Sequence, residues 1–447
     1  MNISKRTFLK ASGASIATLS IAGQTLTSSA LATTVNSQPD IKSQSKGENK
    51  NQRAALKSIT GTVTGINPVE RFERIAKAQK LMQQLEISAL ILEPGAAMDY
   101  FSGIQWRRSE RVTAVIIPRE GKISVVCPFF EAPSVRESLT VGDDIRVWQE
   151  HESPFVLIKQ ILKDSGLNKG KVAFENSVRY FVMSGVMAQL SSMEHVSAEP
   201  ITLGCRMYKS QHELELMHKA NEVTLLAYAN VFAQLKIGMS QSDVKSLMHT
   251  AQGQLGGKGA WNMALFNQAS AYPHGTKQKQ ILTEGSVVLM DCGCNVHGYQ
   301  SDISRTFVFG EASKRQREVW QTVRQGQEIA FEQAKIGTQA GLVDDAVRKF
   351  YQSKGFGPGY KLPGLSHRTG HGIGMEGHES VNFVHGETER LKPGMCFSNE
   401  PGIYIQGEFG VRLEDCIYLT KNGPQWFTMP PVSLDDPIGK LIQLQTL

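Results

Sequence analysis

Two aspartates, Asp291 and Asp302, are spaced so that their carboxylates could share one cation. The apolar run 287–290 predicts a buried strand that ends at Asp291, and a second β-prone run begins near Asp302. Gly293 and Gly298 lie between the two runs and predict the turn of a hairpin. A hairpin would hold both carboxylates beside apolar strands, where they repel each other and lose hydration. A divalent cation would offset that cost, and two solvated hairpin acids are the alternative interpretation.

A second pair of acids, Glu400 and Glu414, repeats this arrangement further along the chain. In both stretches the first acid lies nine positions after a leucine, and a glycine-containing turn precedes the second acid. Each stretch follows a predicted long helix, a Lys-Ile-Gly tripeptide at 236–238 or 335–337, and a predicted short amphipathic helix. We interpret the two stretches as related halves, whose pseudo-twofold packing would bring four carboxylates to one centre.

Histidines in a glycine-rich segment add nitrogen donors to this predicted centre. His367, His371 and His378 lie within twelve residues, in a stretch whose glycines disfavour a regular helix and allow close backbone approach. His274 lies in the corresponding loop of the first half. Carboxylates with an imidazole suit Mn²⁺, Co²⁺, Fe²⁺ or Zn²⁺, and the donor types do not separate these ions.

Length, charge and cysteine content limit the class of protein. A chain of 447 residues exceeds one small core, so we expect two domains. The formal charge of +6 includes +3 from residues 1–32, and no basic stripe carries interleaved aromatics, which argues against nucleic-acid binding. The six cysteines include no CxxC pair. Cys292 and Cys294 are expected to be small buried residues, and disulfide pairing stays open.

The N-terminus has the features of an export signal. Within residues 1–32, basic residues precede a short apolar run and an alanine-containing cleavage site. The Ser-x-Arg-x-Phe-Leu-Lys pattern resembles a twin-arginine signal with Lys5 in the first arginine position, so we expect a periplasmic or secreted protein. Ordinary secretion is the alternative. Residues 33–64 are polar and without periodicity, which predicts a disordered linker. No other run is long and apolar enough to span a bilayer.

Residues 65–205 are predicted to form an α/β domain, because apolar strand patterns alternate there with amphipathic helices. A helix predicted at 69–85 is followed by strands predicted at 89–92, 112–118 and 123–128. This part shows no acid–histidine constellation. We therefore interpret it as a scaffold that covers or dimerises the second domain.

Residues 206–447 resemble the metallopeptidase family that includes methionine aminopeptidase, Xaa-Pro aminopeptidase and prolidase. The motifs that carry this resemblance are Pro273-His274-Gly275, Gly298-Tyr299-x-Ser301-Asp302-x-x-Arg305-Thr306, HRTGHGIG at 367–374, Asn399-Glu400-Pro401-Gly402 and Gly410-Val411-Arg412-Leu413-Glu414-Asp415. The resemblance implies an α+β pita-bread catalytic domain with duplicated, pseudo-twofold halves. The preceding domain resembles that of the Xaa-Pro and creatinase branch, which methionine aminopeptidase lacks.

Transferred to matching positions, the resemblance implies a set of metal ligands and a set of residues that contact substrate. The ligands would be Asp291, Asp302, His371, Glu400 and Glu414, with Asp302 and Glu414 shared by two ions. The residues that bind substrate or move protons would be His274, His367, His378, Glu400 and Arg412. Mn²⁺ is the expected metal, and Co, Zn and Fe are alternatives.

The activity implied by the resemblance is metal-dependent hydrolysis of the peptide bond that precedes proline, as a Xaa-Pro aminopeptidase or a Xaa-Pro dipeptidase. Two divalent ions would activate the attacking water, and the expected partners are a small peptide and a second copy of the chain. One alternative keeps the fold and changes the substrate, as in ectoine-type hydrolases or dimethylsulfoniopropionate lyases. Another is an inactive peptide-binding module, against which the presence of all five ligands argues.

Overall fold

The computed structural model describes residues 56–439, so the predicted signal peptide and most of the predicted linker lie outside the described residues. The remaining part of the predicted linker, residues 56–64, is ordered, so the prediction of disorder is wrong there. Thr60–Thr62 form a 3₁₀ turn, and the amide of Ile59 donates a hydrogen bond to the carbonyl of Leu255 at 3.0 Å. Contact with the folded chain therefore fixes this end of the predicted linker.

The N-terminal part of the protein is a six-stranded mixed sheet with helices on both faces, as the α/β prediction requires. Its strands are β1 (Ile87–Leu92), β2 (Ala114–Pro118), β3 (Ser124–Pro128), β4 (Asp144–Trp148), β5 (Gly170–Phe174) and β6 (Met193–Ser197). Its helices are α1 (Pro68–Gln84), α2 (Ala96–Ser102), α3 (Ala132–Ser138), α4 (Pro154–Asp164), α5 (Tyr180–Gln189) and α6 (Glu199–Arg206).

The strands of this sheet follow the order β4-β3-β2-β1-β5-β6. Every residue of β1 is buried, because its alternate side chains enter two different apolar clusters. Leu90 packs in the cluster that contains Ile75 of α1, whereas Ile91 packs in the cluster that contains Ile158 of α4. The continuous apolar run of β1 therefore fits a strand covered on both faces.

The C-terminal part contains two halves. The first half comprises α7 (Gln211–Phe232), α8 (Gln241–Gln254), β7 (Lys258–Phe266), β8 (Ser286–Val296), β9 (Tyr299–Gln300) and β10 (Ile303–Phe309), with the sheet order β10-β8-β7 and β9 paired to β8. The second half comprises α9 (Lys314–Gln333), α10 (Ala340–Ser353), β11 (Gly370–Gly372), β12 (Glu379–Phe383), β13 (Cys396–Asn399), β14 (Gly402–Ile405), β15 (Phe409–Arg412), β16 (Asp415–Thr420) and β17 (Gly423–Trp426). Its larger sheet has the order β12-β11-β13-β16-β17, and β14 pairs with β15.

The two halves share local structure at the positions where their sequences correspond. Gly238, in the first Lys-Ile-Gly tripeptide, has a φ of +87° and its amide donates to the carbonyl of Leu282 at 2.9 Å. Gly337, in the second tripeptide, has a φ of +84° and its amide donates to the carbonyl of Leu391 at 2.8 Å. In each half, therefore, a left-handed glycine after the long helix forms a hydrogen bond to the leucine that precedes the strand of the first acid.

The first hairpin turns later than the sequence pattern indicates. The residues Cys292–Cys294 lie within β8, and the turn consists of His297 and Gly298. A Cβ built on Gly293 would lie 2.2 Å from the carbonyl oxygen of Ser301, so the glycine is needed for close approach of the returning strand. The prediction of a turn at Gly293 is therefore wrong, although Asp291 and Asp302 do lie on adjacent segments of one hairpin.

No helix in the described part of the chain is long and apolar enough to cross a membrane.

Candidate metal centre

The four acids predicted to converge do so where the two hairpins meet. Asp291 lies in β8 opposite Ser304 of β10, and the amide of Glu414 donates to the carbonyl of Ser304 at 3.1 Å. Donor atoms of Asp302, His371 and Glu414 all lie within 4.8 Å of one another, and these three residues are buried. One backbone contact between the halves therefore places a carboxylate of each half beside the same imidazole.

His371 presents an unprotonated nitrogen to these carboxylates. Its Nδ1 lies 3.1 Å from the carbonyl oxygen of Gly372, which can only accept a hydrogen bond, so Nδ1 carries the proton. Nε2 is then free and lies 3.5 Å from Glu400 Oε1 and 3.7 Å from Asp302 Oδ2. Burial, together with His378, lowers the pKa of His371 to about 3. This tautomer is the one that a metal-binding imidazole adopts when its other nitrogen is held by a backbone carbonyl.

Three carboxylate oxygens in the cluster are buried without a hydrogen-bond partner among the described residues: Asp291 Oδ1, Asp302 Oδ1 and Glu414 Oε1. Burial raises the pKa of Asp302 well above its usual range, with Glu414 as the next cause, and burial raises that of Glu400 to about 7. Buried acceptors without donors are costly unless a cation binds them. Oxygen acceptors around one imidazole therefore fit a divalent metal ion.

A buried ion pair fastens the two hairpins together beside the cluster. Arg305 of β10 donates through Nη2 to Asp415 Oδ1 at 2.7 Å, and neither side chain is exposed to solvent. Arg305 also donates to the carbonyl of Glu414 at 2.9 Å. Gln327 and Thr428 donate to the same Asp415 carboxylate, so its charge is fully compensated. This pair positions the carboxylates of both halves without lining the cavity.

All nine residues predicted for the site line one cavity of about 830 Å³: His274, Asp291, Asp302, His367, His371, His378, Glu400, Arg412 and Glu414. The cavity is also lined by Trp261, Gln300 and Arg368, among others, which the sequence analysis did not assign. Arg368 lies inside the HRTGHGIG motif, and this position could have marked it as a residue of the site. Trp261 and Gln300 carried no comparable signal.

His367 and Arg412 are joined through a tyrosine that the sequence analysis missed. His367 Nδ1 donates to the carbonyl of Arg368 at 2.7 Å, so its Nε2 accepts from the Tyr404 hydroxyl at 2.7 Å. Arg412 in turn donates to Tyr404 Oη at 3.2 Å and to Asp291 Oδ2 at 2.5 Å. Burial and Arg412 lower the pKa of His367 to about 3. His367 is therefore a neutral group that orients Tyr404.

The cysteines are not part of the cluster. All six are free and buried. Cys294 packs against α7, where its Sγ lies 3.4 Å from the hydroxyl of Thr224. Burial raises the pKa of Cys292 well above its usual value. The prediction of small buried residues is therefore confirmed for Cys292 and Cys294.

Comparison with known proteins identifies both parts of the chain. Residues 215–421 match metallopeptidase family M24, and residues 74–208 match the creatinase/prolidase N-terminal domain. A Xaa-Pro dipeptidase from Lactobacillus delbrueckii is 29% identical over 79% of this chain and 95% of that protein. An uncharacterized peptidase from Schizosaccharomyces pombe is 30% identical over 75% of this chain and 76% of that protein.

A solved structure gives the same assignment. The dipeptidase PepE from Mycobacterium ulcerans superposes with a TM-score of 0.76 at 28% identity, covering 83% of this chain and 98% of that one. The predicted pita-bread fold with an α/β N-terminal domain is thereby confirmed. The chain belongs to metallopeptidase family M24, in the branch that carries a creatinase/prolidase N-terminal domain.

Proposed function

We propose that the protein hydrolyses the peptide bond preceding proline, in Xaa-Pro dipeptides or at the N-terminus of longer peptides. The observation that carries this proposal is the buried convergence of Asp302, His371 and Glu414 in a cavity that three further histidines line. The similarity to a Xaa-Pro dipeptidase over nearly the whole length of that protein supports the choice of bond.

Membership of family M24 makes the protein a metal-dependent hydrolase. We propose that it holds two divalent ions, Mn²⁺ first and Co²⁺, Zn²⁺ or Fe²⁺ as alternatives, through Asp291, Asp302, His371, Glu400 and Glu414. Four carboxylates carry about four negative charges, which two divalent ions would balance. When bound, such ions supply Lewis acidity that lowers the pKa of water and polarises a carbonyl group.

The protein's own side chains then bind and orient the peptide and move protons. We assign to Glu400 the acceptance of a proton from the attacking water, because it lines the cavity and burial raises its pKa to about 7. His378 and His274 line the same cavity and are placed to stabilise developing charge or protonate the leaving nitrogen. Arg412, held by Asp291 and Tyr404, offers a fixed positive charge for the C-terminal side of the substrate.

The decisive experiment measures hydrolysis and metal content on the same preparation. Ala-Pro, Ala-Pro-Pro or both should release alanine in the presence of divalent metal, whereas Ala-Ala should be cut much more slowly. Elemental analysis should give close to two equivalents of metal per chain, and chelation should remove activity. Activity that persists after chelation, or equal rates on Ala-Pro and Ala-Ala, would overturn the proposal.

Export and dimerisation belong to the same proposal. The basic residues, apolar run and alanines of residues 1–32 support export through a twin-arginine-like signal, with cleavage after Ala32. Phe72, Phe129 and Phe130 are exposed on the N-terminal domain and support pairing of two copies there. N-terminal sequencing of the extracytoplasmic protein tests the first point, and light scattering after size exclusion tests the second.

A further inference from the structure

A second cavity, of about 670 Å³, lies between the N-terminal domain and the catalytic domain. The N-terminal domain supplies Asp99, Trp106 and Arg107 to its lining. The catalytic domain supplies Lys258 of β7 and His297 of the hairpin turn, among others. None of the nine predicted site residues lines this cavity, so it is distinct from the metal centre.

The second cavity continues from the active-site cavity. Gln300 lines both, and neighbouring residues of β7 line one each: Gly259 the first and Lys258 the second. The loop that carries His378 also borders both cavities. Gln300 lies at the boundary between the two cavities, and its Nε2 donates to the carbonyl of Met375 at 3.2 Å. The two spaces therefore adjoin at Gln300 and at the Lys258–Gly259 step of β7.

The second cavity is lined by two acidic and two basic side chains, which differ in whether they have partners. Its two carboxylates are already paired with arginines: Asp99 with Arg71 at 3.2 Å, and Glu376 with Arg206 at 2.7 Å. By contrast, Arg107 and Lys258 take part in no side-chain hydrogen bond or ion pair within residues 56–439. Two free cationic side chains in a cleft favour an anionic ligand.

We propose that the second cavity binds the part of a peptide substrate beyond the proline, and that it prefers acidic residues there. The inference rests on the proposed function. If cleavage occurs at the first peptide bond, a longer substrate can extend from the reacting bond only on its proline side. The adjoining space is then available to that segment, and Arg107 and Lys258 attract its carboxylates, including the terminal one. The protein thus acts on oligopeptides with acidic tails and not on dipeptides alone.

The test compares three substrates with the metal-loaded full-length protein: Ala-Pro, Ala-Pro-Ala-Glu-Glu and Ala-Pro-Ala-Lys-Lys. For the wild-type protein we expect a higher kcat/KM on the acidic peptide than on the basic one. The double variant Lys258→Glu with Arg107→Glu should lower kcat/KM on the acidic peptide by about threefold to tenfold, chiefly through KM, because exposed charge pairs are individually modest. Its rate on Ala-Pro should be unchanged. Lys335→Glu, an exposed lysine on the second half, is the matched control.

Binding gives a measurement that is independent of turnover. Calorimetric titration with the product peptide Pro-Ala-Glu-Glu should show weaker binding to the double variant by a similar factor, and the difference should shrink at high salt. Equal kcat/KM for the acidic and basic peptides, or no effect of the double variant on either measurement, would overturn the inference. If the wild-type protein cuts neither Ala-Pro nor the two longer peptides, the proposed function itself would be overturned.

Discussion

The two halves of the catalytic domain have the same scaffold but contribute different chemistry. Both begin with a long helix capped by a serine, Ser210 or Ser313, and both place a left-handed glycine before the acidic hairpin. Each half supplies two carboxylates to the centre. The histidines are unequally divided: His274 comes from the first half, whereas the other three cavity histidines come from the second.

This difference shows which parts of a duplicated fold stay constant and which carry function. The carboxylates lie on or beside strands whose pairing fixes them, so they recur with the scaffold. The imidazoles lie on loops and short strands, where the halves differ in length and glycine content. Loops tolerate such change because few backbone hydrogen bonds of the framework depend on them. The duplicated framework thus supplies charge, and the second half supplies three of the four imidazoles.

The largest effect should follow removal of one carboxylate from either half. Asp302→Asn and Glu414→Gln keep side-chain shape but remove a negative charge each, so we expect both to lose metal. Since bound metal contributes several kcal/mol of transition-state stabilisation, the rate on Ala-Pro should fall by about 10³-fold or more. Elemental analysis and steady-state kinetics measure the two losses. Asp435→Asn, on the exposed surface, is the control.

Equal losses at Asp302 and Glu414 would mean that the halves are equivalent at the metal. Full activity in one of the two variants would show that only one half holds the catalytic ion, and the symmetric picture would fail.

The next largest effect concerns the junction of the halves. Asp415→Asn leaves the Arg305 guanidinium buried without its counter-ion, which should lower the free energy of unfolding by about 3–5 kcal/mol. Asp435→Asn breaks the exposed pair with Arg317, where the side chains are 65% and 40% exposed, and should cost less than about 1 kcal/mol. Urea denaturation of both variants measures the difference. Similar small losses in the two would show that Arg305 and Asp415 do not hold the halves together.

Local sequence was sufficient to predict much of the site. The acids follow apolar runs that form strands, and the two Lys-Ile-Gly tripeptides mark equivalent turns, so the duplication was visible in the chain itself. The same local reasoning misread Gly293. A glycine that allows close approach of backbone and a glycine that makes a turn have the same sequence signal. Only the neighbouring carbonyl of Ser301 distinguishes the two.

The remainder of the site depends on contacts between distant residues. Tyr404 is separated from His367 by thirty-seven positions, and Arg305 from Asp415 by one hundred and ten. No periodicity or spacing rule links such partners, because tertiary packing alone brings them together. The cavity lined by Arg107 and Lys258 likewise exists only once two domains are in contact.

A smaller, symmetric effect is expected at the two left-handed glycines. Gly238→Ala and Gly337→Ala place a Cβ in open space, so only backbone strain opposes them. Each should lower the free energy of unfolding by about 1–2 kcal/mol, the cost of a left-handed L-residue. Gly253→Ala is the control, since Gly253 lies in α8 and alanine there should be neutral or stabilising. A large cost at one glycine and none at the other would show that the halves differ at these turns.

The smallest effect distinguishes the starts of the two long helices. His212, the second residue of α7, is bonded through Nδ1 to Glu70 at 2.8 Å and through Nε2 to the carbonyl of Thr64 at 2.8 Å. Burial opposes the charged ring, but these two acceptors outweigh it and raise the pKa of His212, whereas the pKa of Glu70 is lowered despite burial. At the equivalent position of α9, Arg315 pairs with Glu408 at 3.2 Å.

The sign of each shift sets the pH range of this contribution. Because the pKa of His212 is raised in the folded protein, its charged ring stabilises the fold below about pH 6.5. This stabilisation is lost as the pH rises through the pKa of the folded state. Because the pKa of Glu70 is lowered in the folded protein, its carboxylate stabilises the fold above about pH 4.3. This stabilisation is lost as the pH falls through the pKa of the folded state. His212→Gln should therefore cost up to about 1 kcal/mol near pH 5.5 and less near pH 8.5, in urea denaturation. Arg315→Gln should cost the same at both values, because arginine keeps its charge throughout. A pH-independent loss for His212→Gln would show that the imidazole stabilises this end of α7 without its charge.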